Sequence, residues 1–220
     1  MTRLLFRNKH LVQMSTSGRS LFDFPQTSYI VFPLLTFTSY LTPIPILSFL
    51  SAPSGFGARV LTPLLSRALI KASDGAPTVE NSPQKAIALL TAFYLASVYI
   101  GSAVMSVTGQ LLGNKVGYKN REPRFNKRNL SGLPHRMVAT HEALYDIFPA
   151  YAVTAALLAA SITAESSAIP INALVLHVFF KLAIFWPSYV MSIDLARSYS
   201  HMCSVSALLV ALWAIVKERS

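Results

Sequence analysis

Four long stretches of this chain are almost wholly apolar. In residues 86–112 no side chain is charged and Gln110 is the most polar. Residues 147–164 follow, ending before Glu165; then 169–191, interrupted only by His177 and Lys181; then 199–216, closed by Lys217-Glu218-Arg219-Ser220. A helix needs about 20 mostly apolar residues to cross roughly 30 Å of hydrocarbon. The pattern therefore predicts an all-α, four-transmembrane-helix bundle joined mostly by short links. No alternating strand pattern around Asn-Gly turns is present, which argues against a membrane barrel. Small residues crowd the spans, with Ala96, Gly101 and Ala103 in the first and Ala155, Ala156, Ala159 and Ala160 in the second. Close helix packing in lipid favours such positions.

Residues 1–85 break the pattern and read as an N-terminal extension, either a targeting segment or an extra hydrophobic span. The first 22 residues carry Arg3, Arg7, Lys9 and Arg19 with no acid, a composition that fits a transit peptide. Residues 29–52 are uncharged but hold Pro33, Pro43 and Pro45. Each proline inside a helix costs about 3 kcal/mol or more unless neighbours satisfy the freed backbone. Residues 73–84, with Gly75, Pro77 and Pro83, read as a linker.

Composition sharpens the class. Of the 220 residues 53% are hydrophobic and only 13% charged, against about a quarter charged in soluble domains. An ordinary soluble enzyme and a disordered chain are both excluded. The single Cys203 rules out an internal disulfide or a cysteine-rich metal site. His177, Lys181 and His201 make no metal-ligand triad, and no phosphate loop or Ser–His–Asp arrangement is visible.

The net charge of +10 is concentrated in one connection. Lys115, Lys119, Arg121, Arg124, Lys127, Arg128 and Arg136 face only Glu122 there, whereas residues 161–172 hold no Lys or Arg. The positive-inside rule places the basic connection in the cytosol, where it also attracts anionic membrane lipids. Without interleaved aromatics or a recognised module, no nucleic-acid partner is expected. An integral membrane location follows. The endoplasmic reticulum is the default address, and the basic start leaves a mitochondrial or plastid membrane open.

The chemistry lies between Gly117 and Pro149. On a helical wheel Asp146 falls about 80° from Arg136 and Ala143 about 20°, so the three share a broad face, while His141 projects elsewhere. Two readings stand side by side. In one, Arg136 anchors an anion in a polar pocket with Asp146 as its partner. In the other, Arg136, His135 and Glu142 occupy the headgroup zone and Asp146 pairs internally.

The run Asn120-Arg121-Glu122-Pro123-Arg124, then Leu130-Ser131-Gly132-Leu133, then Arg136, His141, Asp146 and Pro149 resembles the MAPEG family. These are the membrane-associated proteins of eicosanoid and glutathione metabolism, and the likeness is closest to their bacterial and fungal members. It covers roughly residues 86–216 and extends through Phe185-Trp186-Pro187-Ser188-Tyr189 and Asp194-Leu195-Ala196-Arg197-Ser198. The resemblance implies a four-helix domain over residues 86–220, a homotrimer, and glutathione held between subunits. By the same likeness Arg136 and Asp146 bind glutathione, and His141 matches a family histidine. Arg197 matches the arginine that stabilises the thiolate, and Tyr189 a tyrosine that orients the sulfur. A nearby cation favours the thiolate, the nucleophilic form, and an arginine fork suits carboxylates.

The chain departs from the family at three positions. The second-helix asparagine is Ala143, the glutamate is the shorter Asp146, and a tyrosine is Phe185. Two functions therefore stay open. One is a glutathione-dependent transferase or peroxidase acting on lipophilic electrophiles in the bilayer. The other is a non-catalytic member that binds lipid or serves as a structural or regulatory subunit.

Overall fold

The computed structural model describes residues 35, 38–64, 83–114, 121, 124–128, 130–163 and 168–218. The basic first 22 residues, the proposed linker before Pro83, and the motif residues Asn120, Glu122 and Pro123 lie outside them. From residue 38 onward the described residues belong to one compact unit. Every regular element among them is helical.

Among the described residues, four helices are long and apolar enough to cross a membrane: α2 (Pro83–Gly113), α3 (Gly132–Ser161), α4 (Ile169–Met191) and α5 (Asp194–Lys217). The predicted all-α, four-span bundle is thus what the chain forms. Pro83 opens α2 and Pro170 lies in the first turn of α4. Proline's missing N–H costs nothing at these positions. The helix α3 continues through Pro149. Many Ser and Thr hydroxyls inside the spans donate to the carbonyl four residues back, as Ser102 does to Val98 and Thr154 to Ala150. That bond hides a polar group which lipid cannot solvate.

α4 is the central helix. From Pro170 to Val178 every residue except Ile171 is buried. The core joins Tyr94 and Val98 of α2, Leu144, Tyr151 and Leu158 of α3, Leu174 and Leu176 of α4, and Ala207 and Ala211 of α5. The outer faces carry Ile100, Val104, Val153, Leu157 and Trp213, all well exposed, which is the pattern for a bundle whose surroundings are hydrocarbon. α2 and α3 approach closely at Gly109, where an added Cβ would lie 2.9 Å from both the Met137 Cβ and the Pro134 carbonyl oxygen.

Residues 38–64 also join this unit. A short helix, α1 (Ile44–Ser51), buries Leu47 and Ser51 and packs on α4 and α5. Its prolines sit where they break nothing: Pro43 is the N-cap and Pro45 lies in the first turn. The chain then reverses through Gly55, whose Cβ, if present, would collide with the Leu50 carbonyl oxygen. A π-helical turn, Gly57–Leu61, leads back along α4. Asn172 of α4 holds both arms of this hairpin. Its Nδ2 donates to the Ser51 carbonyl at 2.9 Å, and its Oδ1 accepts from the Thr62 hydroxyl at 3.0 Å. Near the start of the hairpin, Ser206 of α5 donates to the Tyr40 carbonyl.

Candidate functional site

At the end of the bundle that carries the exposed Arg121, Arg124, Lys127 and Arg128, α4 passes into α5 through a two-residue turn. Ser192 adopts a left-handed conformation with φ 62°. Its N–H donates to the Tyr189 carbonyl at 3.2 Å, and the Ile193 N–H donates to the Ser188 carbonyl at 2.8 Å. The last carbonyls of a helix lack intrahelical donors. A third such carbonyl, that of Val190, accepts from Arg136 Nε of α3 at 2.8 Å. Arg136 therefore caps the C-terminus of α4, where a cation also meets the negative end of the helix dipole. This bond engages Nε, one of the three guanidinium nitrogens.

The tight turn brings Arg197 back over the same residues. Its guanidinium carbon lies 4.9 Å from the centre of the Tyr189 ring, a cation–π distance. Its side chain is 33% exposed and one Nη is 3.2 Å from Asp194 Oδ1. The Tyr189 ring in turn meets Phe185 edge-on at 5.5 Å. Arg136, Tyr189 and Arg197, three of the five residues singled out by the sequence, thus meet at adjacent positions from three helices.

The other two lie elsewhere. His141 Nδ1 is 2.8 Å from the Ser102 hydroxyl, a contact between α3 and α2. That hydroxyl gives its one hydrogen to the Val98 carbonyl at 2.6 Å, so Nδ1 is the donor and Nε2 keeps the lone pair. Asp146 is exposed on the outer side of α3. Ten residues separate it from Arg136, a rise of about 15 Å along the helix. Among the described residues the ion pairs are Lys127–Glu142 at 2.6 Å and Arg197–Asp194, and neither includes Asp146. Cys203 is a buried core residue.

A second polar cluster escaped the reading of motifs. Lys181 is fully buried, with Nζ 2.6 Å from His201 Nδ1 and 4.1 Å above the Phe185 ring. It sits in a π-helical stretch of α4, Phe180–Phe185, an irregularity that often marks functional positions. His177, also fully buried, contacts Tyr94 and Tyr151. The signal was present as His177 and Lys181 one helical turn apart inside an apolar span.

Chemically, the basic end can hold an anion against two guanidinium groups and a phenol, whereas the buried cluster can hold a proton. Comparison with known protein families, with characterised proteins and with solved structures finds no match to this chain.

Proposed function

We propose that this integral membrane protein is MAPEG-like and uses glutathione at its basic end, as a transferase or peroxidase for lipophilic electrophiles drawn from the bilayer. One observation carries the reading: Arg136 and Arg197, from different helices, converge on the adjacent residues Tyr189 and Val190. Glutathione offers two carboxylates and a thiol. The free guanidinium nitrogens of Arg136 would grip a carboxylate, and Arg197, only partly exposed, would favour the thiolate. The Tyr189 hydroxyl would orient the sulfur. In the transferase reaction the thiolate forms a C–S bond as the electrophile's leaving group departs.

The same reading includes a homotrimer. An exposed carboxylate halfway along a spanning helix is costly in lipid. A neighbouring subunit over Asp146 removes that cost and would place the carboxylate and His141 of one subunit at a site shared with the next.

A second reading has its own support. Arg136 Nε is already occupied as a helix cap, and Arg197 is already paired with Asp194 and Tyr189. Together with Ala143 and Phe185, this favours a non-catalytic protein that binds lipid or supports another subunit. Calorimetry of glutathione binding to detergent-purified protein separates the two. Under the transferase reading Arg136→Ala and Arg197→Ala each weaken binding on the order of 10–100-fold, the worth of a charged hydrogen bond. Loss in Arg136→Ala alone would keep the pocket and remove the thiolate role of Arg197. No binding heat in the parent protein would leave the non-catalytic reading standing.

A further inference from the structure

The two members of the Lys181–His201 pair differ in what they can reach. Lys181 is fully buried, whereas His201 is half-buried. Lys181 Nζ lies 2.6 Å from His201 Nδ1, a bond in which one nitrogen must present a lone pair. An ammonium that donates to Nδ1 leaves the ring hydrogen on Nε2. The buried side-chain polar atoms without a hydrogen-bond partner are the Tyr94 hydroxyl, Gln110 Oε1 and His177 Nε2. His201 Nε2 also makes no hydrogen bond among the described residues and is not one of these buried atoms, so it reaches the bundle surface.

The pair thus shares one positive charge and shows a single donor to the outside. Among the described residues no carboxylate forms an ion pair with either side chain. A charge taken out of water without a counter-charge is costly, and in a spanning segment it marks a ligand or ion site. An anion at His201 Nε2 would complete the pair.

Depth and surroundings select the anion. His201 lies about 10 Å along α5 from the turn at the basic end. A carboxylate carried on an acyl chain reaches that level from within the bilayer, whereas the bulkier phosphate of a two-chain lipid stays with the headgroups. Tyr40 bounds the opening, its ring edge-on to His201 at 6.0 Å. Deeper on the same stripe of α5, at successive four-residue steps, stand the half-buried Val205 and the exposed Leu209. A polar donor followed inward by apolar side chains matches a single-chain amphiphile from head to tail.

We propose that Lys181 and His201 form the headgroup site for a long-chain fatty acid anion. The carboxylate accepts from His201 Nε2, Lys181 supplies the compensating charge through Nδ1, and the chain lies over Val205 and Leu209. Arg197 stays with Tyr189 and Asp194, so this site does not depend on the glutathione reading.

The test is binding of radiolabelled oleate to the full chain in nanodiscs of uncharged lipid, with methyl oleate as the neutral control, in mildly alkaline buffer. The parent is expected to bind oleate saturably, and methyl oleate at least about tenfold more weakly, the worth of a charged hydrogen bond. Lys181→Met keeps the side chain's length and leaves His201 in place. It is expected to lower oleate affinity about tenfold while methyl oleate binding stays the same, a split that a merely structural role would not produce. His201→Phe keeps a ring, removes the outward donor and is expected to lose as much; it decides if Lys181→Met fails to fold. Equal affinity for oleate and its methyl ester, or full oleate binding in either folded variant, overturns the site. Displacement of oleate by an equal amount of phosphatidylglycerol would assign the pair to phosphate headgroups and overturn it too.

Discussion

Ser192 shows how one residue places the candidate site. Its left-handed backbone turns α4 into α5 and lets Arg197 lie over Tyr189. A non-glycine residue with φ of this sign carries a penalty of roughly 1–2 kcal/mol, which glycine escapes while losing some chain entropy. Ser192→Gly is therefore expected to stabilise the bundle by up to about 1 kcal/mol, seen as a higher unfolding midpoint in detergent, with the turn unchanged. The same scale explains what the sequence hid. A wheel projection brings Arg136 and Asp146 onto a shared face but ignores the rise between them, and depth keeps them apart. The bond from Arg136 Nε goes instead to a backbone oxygen 54 residues away, a partner with no side-chain signature. Arg197 and Tyr189 were easier to pair, since the turn between their helices is so short.

At the scale of elements, α2 and α3 depend on the missing side chain of Gly109. Gly109→Ala would push a methyl group into Met137 and the Pro134 backbone. Overpacking of this kind costs about 1–3 kcal/mol, so a fall in the unfolding midpoint is expected; an unchanged midpoint would show that the two helices separate freely. The four spans were legible because crossing a membrane imposes both length and uniform hydropathy, and residues 169–191 became a helix with those bounds. Ends were read less well where polar residues belong to the helix. α3 begins at Gly132, well before the apolar run at 147, and α5 begins at Asp194 rather than 199. Charges near a helix mouth reach the interface and so extend the helix beyond its apolar part. The packing of residues 38–64 was illegible for a different reason. Their polar groups are satisfied by Asn172 and Ser206, which lie far away in the chain, and no local pattern announces such partners.

For the whole molecule, the exposed Asp146 fixes where assembly would occur if the homotrimer forms. Native mass spectrometry of the detergent-purified protein is expected to show trimers, and Asp146→Lys is expected to shift them to monomers by placing an unpaired ammonium in the interface. A parent protein that is monomeric would mean that lipid covers this face. The hairpin clasped by Asn172 has a consequence in time. Its two partners precede it by 110 and 121 residues. At about 5–20 residues per second of synthesis, those arms wait roughly 5–25 s before their clasp exists. Residues 38–64 are thus the first part of the bundle to leave the ribosome and among the last to take their place. During that interval they depend on the insertion machinery for shelter.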